Sequence, residues 1–136
     1  MKDFNLKVVP HREDITGLKD ETLIHLAFRP DVKDILRILE LCPEIAGIEV
    51  PKSYSNTLSR AVEPLLRMKG VSLLVGEVQG HRRDLNAYYP VPAQVVELIS
   101  DNINAGKTED EIVQAVKKTH LINPDLTRFI IKTLNA

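Results

Sequence analysis

The chain of 136 residues contains a single cysteine, Cys42, and this excludes an internal disulfide framework and a cysteine-based zinc site. Cys42 follows an apolar helical stretch, so we interpret it as a small buried hydrophobic residue. Histidine is also sparse, and no two histidines stand in an H-x-x-x-H or H-x-H spacing. The sequence therefore predicts no metal site. The four histidines are His11, His25, His81 and His120.

Several catalytic and cofactor motifs are missing as well. The sequence has no P-loop, and no G-x-G-x-x-G follows a predicted strand, so we expect no nucleotide cofactor. No other motif indicates a cofactor, and we predict none. The G-x-S-x-G turn that presents a nucleophilic serine is absent. The serines Ser53, Ser55 and Ser59 are better interpreted as helix caps and helix surface. The sequence thus leaves open whether the protein is an enzyme, and it predicts no catalytic residue.

Charge and hydropathy exclude further classes of protein. The 19 acidic and 18 basic side chains give a net charge of −1, so no overall field attracts nucleic acid or an acidic membrane. No apolar stretch is long enough to span a bilayer, and the first residues do not resemble a signal peptide. We therefore expect a cytoplasmic protein with no membrane partner. A hydrophobic content of 43% is sufficient for a folded core.

Strand-like and helix-like segments alternate through the first part of the chain. Four strands are predicted, at Asn5–Pro10, at Leu23–Phe28, at Ile45–Val50 and from Val71 to Val75 or Val78. Strands separated by helices usually form a parallel sheet. We therefore predict an α/β fold with a small, mainly parallel sheet of βα units. The arrangement of these units is either solenoid-like or doubly wound, and the sequence does not determine the strand order.

Two helices are predicted between these strands. Pro30 and Asp31 suit the start of the first, which carries a wide apolar stripe and stops at Pro43. Ser53 is the expected N-cap of the second, and Pro64 should kink or shorten its last turn.

Polar residues interrupt one face of the predicted sheet. If neighbouring strands pair near the expected register, His25 and Glu49 point to the same face, opposite the apolar residues of both strands. We interpret them as a hydrogen-bonded pair near the sheet edge. The helices between the strands are expected to cover the more apolar face, and the C-terminal helices to cover the face with His25 and Glu49.

The stretch QGHRRDLNAYYPVP, from residue 79, is the most unusual part of the sequence. It begins where a parallel strand should end, and ligands of open α/β sheets bind outside the carboxyl ends of strands. Basic residues also follow the two preceding strands, so we expect one rim that attracts anions. The alternative is a solvated, ion-paired loop whose tyrosines pack on the core. The carboxyl-edge rim comprises Arg29, Lys52, Ser53, His81, Arg82 and Arg83.

The remaining residues predict three helices. The first starts near Pro92 and ends at Ala105–Gly106, Thr108 and Glu111 form a capping box for the second, and Asn123–Pro124 caps the third. We divide the chain into an α/β domain of repeated βα units at residues 1–90 and a helical C-terminal segment at residues 91–136. This segment is expected to pack on or beside the domain.

Three phrases carry a resemblance to a known family: HLAFRP, LCPEI and GHRRDLNAYY. Together they resemble an uncharacterised family of small proteins from methanogenic archaea, over most of the first ninety residues. None of the phrases is a catalytic motif. The resemblance implies an archaeal cytoplasmic protein and provides no catalytic residues.

Three functional hypotheses follow. The first is a non-catalytic binding or regulatory module whose small anionic ligand or protein partner meets the carboxyl-edge rim. The second is an enzyme acting on a small phosphorylated or carboxylated metabolite, with His81 as acid or base in an enclosed pocket. The third is a helix-turn-helix DNA-binding protein, which the mixed charges of residues 91–136 disfavour. The sequence does not determine the oligomeric state, and a homo-oligomer is one of the options.

Overall fold

A computed structural model describes residues 4–77 and 87–135 of the chain. Its centre is one five-stranded sheet in the order β4-β3-β2-β1-β5. Strands β1 to β4 are parallel to one another, and β5 pairs antiparallel with β1. The predicted α/β class with a mainly parallel sheet is therefore confirmed. The strands are β1 (Asn5–Val9), β2 (Leu23–Leu26), β3 (Gly47–Val50), β4 (Ser72–Val75) and β5 (Tyr88–Pro90).

The four parallel strands lie side by side in chain order, so every crossover advances by one strand in the same direction. A short 3-10 helix (Arg12–Gly17) and the helices α1 (Val32–Leu41) and α3 (Val62–Met68) all pack their apolar residues on one face of the sheet. This is the solenoid-like of the two predicted arrangements, because crossover helices of a doubly wound sheet cover both faces.

The helix predicted to begin with Ser53 as N-cap is wrong. The chain forms a four-residue helix α2 (Lys52–Ser55) directly after Pro51, and a separate helix α3 begins only at Val62. Pro64 explains the break, because proline lacks the N–H that an interior position of a helix must donate. In α3 it occupies the first turn, where backbone N–H groups have no partner within the helix and none is lost.

The last three helices cover the opposite face of the sheet. They are α4 (Ala93–Asn104), α5 (Glu109–Lys117) and α6 (Pro124–Leu134), and their apolar residues form one core with Leu6, Val8, Leu23 and Leu74 of the strands. The predicted covers of both faces are thus confirmed. The predicted caps are confirmed too, because Thr108 and Glu111 form a capping box and Asn123 caps α6 before Pro124.

The register of the central strands decides which residues share a face. Ile24 pairs with Ile48, and His25 pairs with Glu49. The prediction that His25 and Glu49 point to one face is therefore confirmed, but their place near the sheet edge is wrong. They lie on β2 and β3, which are interior strands of the sheet.

Strand β5 was not expected from the sequence. It is three residues long and adds to the free side of β1, with Tyr89 opposite Leu6 and Pro90 opposite Asn5. A proline is tolerated there because β5 is an edge strand and needs no N–H on its outer side. Within the described part of the chain, no helix is both long and apolar enough to cross a bilayer.

Candidate functional site

Arg29 stands at the carboxyl end of β2, and its guanidinium lies over the ring of Tyr54, 5.4 Å from the centroid. Tyr54 belongs to α2, which follows the neighbouring strand β3. The contact therefore joins the chain segments that leave two adjacent strands. A tyrosine ring attracts a cation through its face, so Tyr54 orients Arg29 without using its N–H donors. Among the described residues, the Arg29 side chain has no hydrogen bond or ion pair.

A second arginine at this edge differs because its charge is compensated. Arg12 donates from Nε to both carboxylate oxygens of Asp34, each at 2.9 Å, and its guanidinium lies over Phe28. The hydrogen bond to Asp34 raises the pKa of Arg12 above its ordinary value. Arg12 also donates from Nη2 to the carbonyl oxygen of Arg29 at 3.2 Å. We conclude that Arg12 supports the backbone of Arg29, while the charge of Arg29 is not compensated by any carboxylate among the described residues.

Lys52 and Ser53 open α2 at the end of β3, and both are exposed. Within the described ranges, neither side chain makes a hydrogen bond or an ion pair. The structure therefore brings Arg29, Lys52 and Ser53 to the ends of adjacent strands, as the rim prediction requires. His81, Arg82 and Arg83, the other residues of the carboxyl-edge rim, lie outside the described residues.

A buried polar network lies on the sheet face that α4–α6 cover. His25 Nδ1 is 2.7 Å from Glu49 Oε1, and both side chains are 0% exposed. Asn123 donates from Nδ2 to the other carboxylate oxygen, Oε2, at 2.8 Å. Each oxygen of the buried carboxylate thus has a nitrogen within hydrogen-bond distance, and buried polar groups are usually hydrogen-bonded in this way.

Asn123 also connects this network to the start of α6 and to the end of β4. Its Oδ1 accepts the backbone N–H of Leu126 at 2.8 Å, and its Nδ2 is 3.2 Å from the carbonyl oxygen of Glu77. Nearby, Asp125 accepts the backbone N–H of Val75 at 2.8 Å. The first turn of α6 therefore holds residues 75–77, where the chain leaves the sheet.

One atom of the network, His25 Nε2, has no hydrogen-bond partner among the described residues. It is buried, so the predicted pair is confirmed at Nδ1 only. On the same face, Tyr89 donates its hydroxyl to the carbonyl oxygen of Leu121 at 3.1 Å. Burial raises the pKa of Tyr89, and the negative charge of Glu49 raises it further. The polar network is therefore enclosed by the apolar core on this face of the sheet.

Sequence reasoning identified Asn123 only as a helix cap and missed its bond to Glu49, from which it is separated by 74 residues. An asparagine N-cap uses its side-chain oxygen and leaves the amide nitrogen available to donate. A buried glutamate that needed a second donor could therefore have indicated this bond. No cluster of three or more metal-ligating side chains occurs among residues 4–77 and 87–135.

Comparisons with known proteins add a family and no activity. No curated protein and no solved structure matches the chain significantly. A family model does match over residues 5–87, which contain β1 to β4 and every residue of the carboxyl-edge rim. These residues are well over half of the chain, and the chain belongs to this family, a family of unknown function (DUF1699), of which they form the N-terminal domain.

Proposed function

We propose that the protein is a non-catalytic binding or regulatory module whose carboxyl-edge rim takes a small anionic ligand or an anionic group of a protein partner. The observation that carries the proposal is the uncompensated Arg29, oriented by the Tyr54 ring beside an exposed Lys52. A guanidinium held by its face presents planar N–H donors, which suit the oxygens of a carboxylate or phosphate. Arg12, by contrast, already binds a carboxylate of the same chain.

The proposal also includes the other basic residues of the rim, because the segment that contains them connects two described residues at this edge of the sheet. Residues 78–86 carry His81, Arg82 and Arg83 and join Glu77, just after β4, to Ala87, just before β5. Because β4 and β5 run in opposite directions, the end of β4 and the start of β5 lie at the same edge of the sheet as Arg29. Ala87 is held there by its carbonyl oxygen, which accepts the N–H of Val8 at 2.8 Å.

The experiment is a thermal-shift screen against nucleotides, sugar phosphates and carboxylates, followed by variants. A ligand at about 100 times its Kd stabilises the folded chain by about 2.7 kcal/mol, which is readily visible as a rise in Tm. Arg29→Ala should remove most of that rise, whereas Arg67→Ala should not, because Arg67 lies on α3 and pairs with Glu63. An equal loss in both variants would show general electrostatic attraction and contradict a defined rim.

The variant Arg82→Ala/Arg83→Ala addresses the remaining part of the rim. If these arginines serve ligand binding, the double variant should lose the ligand-induced rise while its own free energy of unfolding changes by only about 0.5 kcal/mol. A large loss of stability without ligand would assign them a structural role instead. The two readouts come from the same melting curves and separate the alternatives directly.

The enzyme hypothesis stays an alternative without added support. It depends on His81 in an enclosed pocket, and His81 lies outside the described residues. His25 has the carboxylate partner Glu49, but its side chain is 0% exposed, so a substrate has no access to it in this structure. A dyad of this geometry would orient a general base, but only where solvent and substrate can reach the free nitrogen.

DNA binding receives no support from the C-terminal helices. A helix-turn-helix reading of α5 and α6 needs Arg128 and Lys132 to face phosphates. Arg128 instead pairs with Glu109 and with Asp110, which raise its pKa above the ordinary value. Retardation of random duplex DNA at about 50 mM salt, where counterion release favours binding, would reverse this assessment.

As part of the proposal we keep the cytoplasm as location and methanogenic archaea as source, the latter from the three family-like phrases.

A further inference from the structure

The donors around Glu49 are fixed by the helix cap. Because Asn123 Oδ1 accepts the Leu126 N–H, its Nδ2 is the atom that faces Glu49 and the Glu77 carbonyl oxygen. An amide nitrogen can only donate. Glu49 must therefore accept from Asn123, and its remaining oxygen is 2.7 Å from His25 Nδ1.

This arrangement distinguishes the protonation states of the pair. With Glu49 ionised and His25 neutral with its proton on Nδ1, each hydrogen bond has a donor and an acceptor, and the unpartnered Nε2 is only a lone pair. One further proton can bind to His25 Nε2, which makes the imidazole an imidazolium. Alternatively it can bind to Glu49 while the proton of the neutral imidazole moves from Nδ1 to Nε2. Both states put an N–H on Nε2, and a buried donor without an acceptor is costly. If both Nδ1 and Glu49 are protonated instead, the hydroxyl of the carboxyl group faces an N–H donor, from either Nδ1 or Asn123, in place of an acceptor.

The surroundings of the network favour the ionised carboxylate. The positive end of the α6 dipole adjoins Glu49 through Asn123. On the adjacent strands, Val8 of β1 pairs with His25 and Leu74 of β4 pairs with Glu49. The buried residues of α4 and α5 are all apolar. Among residues 4–77 and 87–135, the titratable groups that hydrogen-bond on this side are Tyr89 of β5, which is bonded to Leu121, and Asp125 of α6, which accepts the Val75 N–H. Glu77 contributes its carbonyl oxygen and has an exposed side chain.

We propose that the His25–Glu49–Asn123 network is a proton-operated latch between the sheet and α6. In the deprotonated state the carboxylate holds the α6 cap through Asn123. Uptake of one proton leaves a buried N–H without an acceptor or breaks the bond to the cap, so acidification loosens α6 and, with it, its hold on residues 75–77. The latch does not depend on the proposed anion rim.

The first test observes the proton directly. The ¹⁵N chemical shifts of the imidazole distinguish the two neutral tautomers and the imidazolium. At about pH 7.5, His25 should be neutral with its proton on Nδ1, because each hydrogen bond of the network then has a donor and an acceptor. An imidazolium or the Nε2–H tautomer at that pH would overturn the proposal, because the connected state would then already contain the unpaired donor.

The second test measures the consequence by hydrogen exchange followed by NMR, expressed as protection factors so that the intrinsic pH dependence of exchange is removed. Between about pH 7.5 and 5, protection of α6 should fall by about tenfold or more relative to α1 on the other face, since one coupled proton permits up to tenfold per pH unit. Glu49→Gln should abolish this pH dependence. The matched control Glu21→Gln removes another buried carboxylate, one that binds Tyr88, and should retain it.

The outcomes are distinguishable even if Glu49→Gln does not fold. In the natural chain, the ¹⁵N shifts of the His25 imidazole or the carboxyl ¹³C shift of Glu49 must change over the same pH interval in which α6 loses protection. Separate intervals, constant protection of α6, or an unchanged pH dependence in a folded Glu49→Gln variant would each overturn the latch.

Discussion

Gly76→Ala is the sharpest single test of how α6 is held to the sheet. Gly76 follows β4 and donates its N–H to the Val50 carbonyl oxygen at 3.0 Å. A Cβ at this position would lie 2.3 Å from Asn123 Nδ2 and 2.4 Å from its Cγ. Such distances are far inside van der Waals contact, so the methyl group and the Asn123 side chain cannot both keep their places. We expect Asn123 to move, because the backbone of residue 76 is fixed by sheet pairing.

The cost follows from the hydrogen bonds that Asn123 would lose. Loss of a side-chain N-cap costs about 1 kcal/mol. Leaving one oxygen of the buried Glu49 carboxylate without a donor costs about 1–3 kcal/mol. The free energy of unfolding should therefore fall by about 2–4 kcal/mol. For a chain of 136 residues, an unfolding entropy of about 2.1 cal/mol/K per residue converts this to a decrease in Tm of about 7–14 °C.

The assay is urea and thermal unfolding followed by circular dichroism. Gly17→Ala is the matched control, because it is the same chemical change at a position where a Cβ meets no atom within 4 Å. That variant should be neutral or gain up to about 1 kcal/mol through the reduced entropy of its unfolded chain. Because both variants share the effect on the unfolded state, their difference isolates the collision with Asn123.

A second background determines whether the collision is the cause. Asn123→Ala removes every atom that Gly76→Ala would meet within 3 Å. In that background the additional cost of Gly76→Ala should fall below about 0.5 kcal/mol, giving a large coupling in the double-mutant cycle. If Gly76→Ala remains as costly without the Asn123 side chain, or costs no more than Gly17→Ala in the natural chain, the reasoning is refuted.

Two further predictions concern single titratable groups. Asp31 caps α1, and the hydrogen bond from the Asp34 backbone N–H lowers its pKa, so its contribution to stability is present above its ordinary pKa and is lost as pH falls through the lowered one. Asp31→Asn keeps the cap and should flatten the pH dependence of urea unfolding below about pH 4, whereas Asp101→Asn on the exposed side of α4 should not. Burial raises the pKa of Cys42, whose Sγ donates to the Lys19 carbonyl oxygen at 2.9 Å. A thiol reagent at about pH 7.5 should therefore label it only after unfolding, and rapid labelling of the native protein would contradict this expectation.

The parts of the fold that could be predicted are those with a local cause. The apolar runs of β2 and β3 and the caps Asn123 and Thr108 each depend on residues within a few positions of one another. Register was predictable for a related reason, because a shift by one residue would have moved the apolar side of β3 to the wrong face. The pairing of His25 with Glu49 follows from that constraint.

The remaining features depend on contacts between distant segments. Strand β5 has three residues and pairs with β1 across more than 80 positions, so no periodicity indicates it. The break between α2 and α3 was signalled by Pro64, but the apolar spacing from Tyr54 to Leu66 favoured one continuous helix. The sequence indicated which residues of the carboxyl-edge rim follow the strands. It did not indicate that the Tyr54 ring lies beneath Arg29, because Tyr54 comes from the next βα unit.

The two faces of the sheet explain why the C-terminal helices matter to the matched domain. One face is closed by crossover helices from within residues 5–87, but Leu6, Val8, Leu23 and Leu74 on the other face are buried mainly by α4–α6. Those apolar residues contribute roughly 1.5–3 kcal/mol each when removed from water, and the same helices supply the second donor to Glu49. The division at residue 90 stays a prediction. Both the apolar core and the polar network of this face are completed by residues beyond the division.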